Sequence, residues 1–209
     1  MAVATGGRPG GAVGVYARYG RHALSVLGAN VANVLTVVRL CLAVPIVLLV
    51  RSGDFPAAAA LFLIAALSDG LDGFIAKRFS GVTPFGTVLD PIADKVLMAS
   101  LFVTLALMGH LPLWIVALVL ARDILIVLGT LALRLVAGRF QVEPLLVGKA
   151  STLMQILLGA ALLAQLSVLP ELEILIEPLL LVTAATVLAS AVAYLRAAAR
   201  IWVAARATR

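Results

Sequence analysis

Four of the six aspartates in this chain fall within residues 69–94, in the runs S-D-G-L-D-G-F-I-A-K-R from Ser68 and G-T-V-L-D-P-I-A-D-K from Gly86. Asp69 and Asp72 are three residues apart and Asp90 and Asp94 four, so on helices each pair shares one face. Both runs adjoin long hydrocarbon stretches, and a carboxylate at the centre of a membrane span costs about 2.5–3.5 kcal/mol. If the two helices are antiparallel neighbours, the acidic faces meet and four like charges are brought together. Such a group stays ionised only with cations among it. All-oxygen ligands select a hard divalent ion, Mg²⁺ or Mn²⁺, and four carboxylates suit two ions, the arrangement that clamps attacking and leaving oxygens in phosphoryl chemistry.

Neighbouring residues fit that reading. Gly70 and Gly73 let another group approach the backbone, and Pro91 is expected in the first turn of a helix, which makes Asp90 a capping position. The competing reading makes Asp90 an N-cap and nothing more, and pairs Asp69 and Asp72 with Lys77, Arg78 and Lys95. It accounts for one or two carboxylates but not for the spacing of four.

The elements that must hold these residues are dictated by composition. Of 209 residues, 63% are apolar and only 12% charged, with a mean hydropathy of +1.16. Soluble globules carry about twice that share of charge, so the chain is expected in lipid. Six stretches are long enough for helical spans: about Val34 to Val50, Phe55 to Phe79, Ile92 to Gly109, Leu111 to Leu135, Gly148 to Leu169 and Leu175 to Leu195. Short loops are predicted at Ser52-Gly53-Asp54, Gly81 to Gly86, Gly109-His110, Gly138-Arg139 and Pro170 to Pro178. The expected fold is therefore an all-α integral membrane bundle of six transmembrane helices. Residues 1–30 form an N-terminal cytoplasmic or interfacial segment and residues 31–209 the six-helix domain.

Basic residues give the orientation, because short cytoplasmic loops accumulate Lys and Arg. Thirteen of the sixteen fall on one side: Arg8, Arg18, Arg21, Lys77, Arg78, Lys95, Arg134, Arg139, Lys149, Arg196, Arg200, Arg206 and Arg209. Arg51 alone falls on the other, Arg39 and Arg122 lie within spans, and the segment with Glu171, Glu173 and Glu177 has no cation. Both termini are thus expected in the cytoplasm, with the aspartates at that face of the cell (inner) membrane. The net charge of +6 reads as topology plus attraction to anionic headgroups, not as nucleic-acid binding. Tyr16 to Ser25 fits either an interfacial helix or a disordered tail. The single Cys41 has no intramolecular bridging partner and is read as packing.

The stretch D-x-x-D-G-x-x-A-[R]-x8-G-x3-D-x3-D resembles the signature of the CDP-alcohol phosphatidyltransferases, with Asp69, Asp72, Gly73, Ala76, Gly86, Asp90 and Asp94 in register. One position departs: Lys77, followed by Arg78, stands where the family has Arg. Lysine keeps the charge but lacks the bidentate fork, which leaves either residue to meet a diphosphate. The resemblance implies a metal-dependent transferase that moves the phosphatidyl group of CDP-diacylglycerol to an alcohol and releases CMP. Asp69, Asp72, Asp90 and Asp94 would hold two Mg²⁺ or Mn²⁺ ions, and Asp94 would also act as general base. Gly73, Lys77 or Arg78, and Thr83 match positions that contact CDP-diacylglycerol, as do Asn33 and Thr36 in the first helix. Arg39, one turn beyond Thr36, either closes the site electrostatically or pairs with an Asp.

The acceptor should be read by the remaining charges. Arg122 in the fourth span must face the interior, where Asp123 is expected to contact something else, and Arg122 with Lys149 is expected to bind an acceptor phosphate. Snorkelling to the headgroups is the alternative for Lys149. The runs L-D-P-I-A-D-K, A-R-D-I-L-I-V-L-G and E-P-L-L-V-G-K-A-S-T-L-M-Q-I look most like the cardiolipin synthase branch, whose acceptor is phosphatidylglycerol. Phosphatidylglycerophosphate synthases, which use glycerol 3-phosphate, share most of the pattern and remain an alternative. A divalent-cation transporter also carries charge inside helices, but its sites tend to lie near the bilayer midplane. The family resemblance further implies a homodimer.

Overall fold

A computed structural model describes residues 37–79, 84–137 and 146–207. Throughout them the hydrocarbon runs become helices: α1 over residues 37–52, α2 Phe55–Phe79, α3 Pro84–Leu107, α4 Leu113–Ala137, α5 Leu146–Ser167 and α6 Glu173–Ala207, the last preceded by a 3₁₀ turn at Pro170–Leu172. No strand occurs among the described residues. Among the described residues, three helical segments are long and apolar enough to cross a membrane: Leu113–Thr130, Leu146–Ser167 and Pro170–Trp202. Shorter apolar segments occupy Phe55–Ser68 and Lys95–Leu107, the halves of α2 and α3 that lie away from the aspartate runs.

Two reversals are fixed by backbone chemistry alone. Gly53 and Gly109 adopt φ of +80° and +82°, the left-handed conformation that ends helices without steric penalty only at glycine. At the first, the Gly53 N–H donates to the Val50 carbonyl and the Asp54 N–H to that of Leu49. At the second, Gly109 donates to Ala106 and His110 to Leu105. Asp54 then caps the next helix, its Oδ1 accepting the Ala57 N–H at 3.3 Å. The rings of Phe55 and His110 meet edge to face with centroids 5.5 Å apart, so the start of α2 lies beside the end of α3 and the two helices run antiparallel.

α5 is the strut on which the others converge. Its buried residues, Gly148, Ser151, Gln155, Leu158, Gly159, Leu162 and Leu163, recur at helical spacing on one face. It packs on α6, α2 and α3, while α4 packs on α3 and α6. Gly159 is the crossing point: a Cβ there would lie 3.2 Å from Leu101, 3.3 Å from Phe62 and 3.4 Å from Phe102. In lipid, where apolar burial no longer drives helices together, such small residues supply close contact. The outward faces stay apolar, with Val44, Leu48, Leu67, Leu128, Leu153 and Leu181 exposed. Hydroxyls inside the bundle bond back to their own helix, as Thr104 does to the Ser100 carbonyl and Thr183 to that of Leu179, each at 2.7 Å.

Several boundaries differ from those read in the sequence. α3 begins at Pro84, not Ile92, so the stretch expected as a loop to Gly86 is in part helix and Asp90 is not a cap. The first-turn preference of proline is met by Pro84 instead, and Pro91 is carried inside the helix, where it leaves one carbonyl without its helical donor. α6 begins at Glu173, takes Pro178 into its early turns and runs 35 residues to Ala207. At 1.5 Å per residue that is about 52 Å, well beyond a hydrocarbon core of about 30 Å. Ala and Arg are strong helix formers, so the basic tail simply prolongs the last helix. Cys41 is exposed on α1 rather than packed inside.

Candidate active site

Because α2 and α3 are antiparallel, their registers can be compared from the end where Phe55 meets His110. Phe62 and Leu101 both reach Gly159. Asp69 lies two turns beyond Phe62 on α2, and Asp94 two turns before Leu101 on α3. Each displacement is about 10 Å along the axis, so positions 69–72 and 90–94 come to a similar depth in the bundle. Both aspartate pairs lie on continuous helix, which keeps each pair on one face. That donor set, all carboxylate oxygen, fits a hard divalent cation. Among the described residues no group of three or more His, Cys, Asp or Glu side chains gathers.

The side chains of Asp69, Asp72, Gly73, Lys77, Arg78, Asp90 and Asp94 lie outside what is described, although their backbone is helical. Asn33, Thr36 and Thr83 lie outside the described residues altogether, as does the Tyr16 to Ser25 segment. Arg39 is within them and is buried on α1, at 3% exposure.

What is described is the polar layer next to Asp94. Lys95 on α3 donates from Nζ to Asp123 Oδ1 on α4 at 2.6 Å. The same oxygen accepts Arg122 Nη1 at 2.7 Å. Arg122 Nε and Nη2 both donate to Ser190 Oγ on α6, at 3.1 and 2.7 Å. The guanidinium carbon stands 5.9 Å from the centre of the Tyr194 ring, one helical turn further along α6, within cation–π range. Gly148 on α5 completes the layer by absence of bulk. A Cβ there would come within 3.2 Å of the Tyr194 ring edge and hydroxyl and 3.4 Å of Arg122 Nη2.

Burial makes this layer consequential. Arg122 is only 5% exposed and the Asp123 side chain 13%, while that of Lys95 is 31% exposed. Two cations share one carboxylate oxygen, so the trio carries a net positive charge inside a largely apolar bundle. Arg122 uses three of its five N–H donors on Asp123 and Ser190 among the described residues. The arrangement suits an anion with several oxygens, such as a phosphate.

These contacts amend one sequence expectation. Asp123 does contact Arg122: successive residues point about 100° apart, but the four-bond stem of arginine curls back to its neighbour. Lys95 pairs with Asp123 on α4, a partner the sequence reading did not give it. Lys149 is exposed in the first turn of α5, one residue beyond the glycine that packs on Arg122, and it is not among the groups drawn together. Ser190 and Tyr194 escaped sequence reading entirely. The available signal was that a buried Arg in a membrane helix requires partners on facing helices.

Comparison with known proteins accords with the geometry. The sequence pattern of the family described as CDP-alcohol phosphatidyltransferase matches residues 29–202. A Mycobacterium tuberculosis protein named as a probable phosphatidylglycerophosphate synthase is 40% identical over 123 residues, 56% of this chain and 56% of that one. The CMP-forming cardiolipin synthase of Homo sapiens is 30% identical over 151 residues, covering 65% and 50% of the two chains. The CDP-diacylglycerol–glycerol-3-phosphate 3-phosphatidyltransferase of Bacillus subtilis is 32% identical over 152 residues, 64% of this chain and 76% of its own. The matched region thus spans little more than half the length of the mycobacterial relative and half that of the human one.

Proposed function

Because the chain belongs to the CDP-alcohol phosphatidyltransferase family, we propose that it transfers the phosphatidyl group of CDP-diacylglycerol to an alcohol and releases CMP. The observation that carries this reading is the signature of four aspartates on two antiparallel helices, at one depth, beside a buried cationic layer. Asp69, Asp72, Asp90 and Asp94 would hold two Mg²⁺ or Mn²⁺ ions, which supply charge neutralisation at the diphosphate and at the departing CMP.

The protein's own groups do the rest. Asn33, Thr36, Gly73, Lys77 or Arg78, and Thr83 bind and orient the nucleotide lipid. Asp94 accepts the proton of the acceptor hydroxyl as its oxygen bonds to the phosphatidyl phosphorus and the bond from that phosphorus to the CMP oxygen breaks. Arg122 and Lys149 hold a phosphate of the acceptor, which orients its hydroxyl for attack.

Phosphatidylglycerol is the proposed acceptor, giving cardiolipin, a reading supported by the run A-R-D-I-L-I-V-L-G around Arg122. Glycerol 3-phosphate is the second reading, favoured by the 40% identity to the mycobacterial relative. We further propose six membrane crossings in the cell (inner) membrane, both termini and the site at the cytoplasmic face, residues 1–30 as a separate interfacial segment, and a homodimer. Support for the orientation comes from the basic residues of the loops and from α6, whose arginine-bearing end projects beyond a bilayer's thickness. The test is to supply labelled CDP-diacylglycerol with each acceptor separately and identify the lipid. Labelled cardiolipin from phosphatidylglycerol is expected; labelled phosphatidylglycerophosphate alone selects the second reading, and no labelled product with any alcohol defeats both.

A further inference from the structure

We propose that Asp123 is a positioning residue that gathers Lys95 and Arg122 into one cationic pair, and that Lys95 is an additional binding residue for the acceptor's phosphate. The inference rests on the phosphatidyl-transfer reading and adds to it a residue that the signature does not assign.

The geometry is specific. One oxygen of Asp123 accepts both Lys95 Nζ and Arg122 Nη1, at 2.6 and 2.7 Å, so the ammonium and the guanidinium stand within a few ångströms of each other. Like charges so close inside a bundle repel unless a carboxylate lies between them. Asp123 supplies that carboxylate but only one negative charge. One further negative charge completes the balance, which the monoanionic phosphodiester of phosphatidylglycerol supplies, and Lys95, more exposed than Arg122, has the side chain an entering anion reaches first. Ser190 fixes the far side of Arg122 by accepting from Nε and Nη2, so the guanidinium plane cannot turn away from Asp123. Sequence adjacency then matters: Lys95 follows Asp94 directly, so an acceptor phosphate held at Lys95 places the acceptor beside the proposed base. Tethering by Asp123 also keeps the Lys95 ammonium on the α4 side.

The test compares wild type with Lys95→Met, Lys95→Arg and Asp123→Asn, all full length in detergent micelles. CMP release is measured against varied acceptor and, separately, varied CDP-diacylglycerol, and melting is followed with and without glycerol 3-phosphate. Loss of one charge-assisted contact is worth about ten- to a hundred-fold in acceptor KM. Lys95→Met is expected to show that rise with the CDP-diacylglycerol KM changed less than about two-fold, and Lys95→Arg to recover most of it. Asp123→Asn is expected to raise the acceptor KM as well, since both cations lose their anchor. Glycerol 3-phosphate should raise the melting temperature of wild type and Lys95→Arg but not of Lys95→Met. An unchanged acceptor KM in Lys95→Met, or a parallel rise in both KM values, overturns the proposal while leaving phosphatidyl transfer intact. Wild type that is stabilised through Lys95 yet releases no CMP would instead sink phosphatidyl transfer and keep the anion site.

Discussion

The two ends of α2 and α3 are built by different physics. At the Phe55 end, the reversals at Gly53 and Gly109 are closed by hydrogen bonds among residues within five of one another, and one aromatic contact joins them. At the other end, Lys95, Asp123, Arg122, Ser190 and Gly148 come from four helices and touch only when the whole bundle has formed. One end is local and chemically inert. The other is long-range and charged, and needs every partner in place, because a buried charge without its partner costs far more than a missing turn bond.

That contrast can be broken from either side. The largest effect is expected at the proposed base: Asp94→Asn should lower CMP release by about a hundred-fold or more, the usual scale of general-base catalysis, with melting close to wild type. Activity within a few-fold of wild type would remove Asp94 from that role. Arg122→Met comes next. It leaves Asp123 paired with Lys95 but removes the buried charge-assisted bonds to Ser190, a loss of about 1.5–3 kcal/mol, so melting and activity should fall together. Unchanged melting would mean that the layer contributes little to the fold.

Gly159→Leu sharpens the comparison at the point between the two ends. The Cβ alone would come within 3.2–3.4 Å of Leu101, Phe62 and Phe102, and overpacking of this kind costs about 1–3 kcal/mol. Since the same contact sets the relative depth of the aspartate pairs, activity should drop more than stability does. Gly109→Ala should be mildest. Nothing stands within 4 Å of the added methyl, so only the left-handed φ is penalised, by about 1 kcal/mol. Melting should fall slightly and kcat stay put; a fall in kcat would show that the inert end reaches the site.

The helices were legible wherever hydrocarbon runs were bounded by glycine, as at Ser52-Gly53-Asp54 and Gly109-His110. They were misread where two prolines competed for one role. Pro91 looked like a helix start, but Pro84 took that position, and α3 absorbed Pro91 because the surrounding residues keep helical register. The aspartate spacing could be read because it is periodic within single helices. The layer around Arg122 could not, since Ser190 lies 68 residues from it and carries no mark that separates it from the other hydroxyls of α6. Asp123 was misjudged by treating side-chain direction as fixed at Cβ, when an arginine stem is long enough to return to the next residue.

The central claim is that carboxylates on α2 and α3 hold divalent cations for phosphatidyl transfer. The direct measurement is CMP release from CDP-diacylglycerol and acceptor by chelator-stripped protein, with Mg²⁺ or Mn²⁺ then added back. Release should be absent after stripping and return with either ion in wild type, but not in Asp69→Asn or Asp90→Asn. Full release from stripped protein, or recovery in both variants at the wild-type ion concentration, would contradict the account.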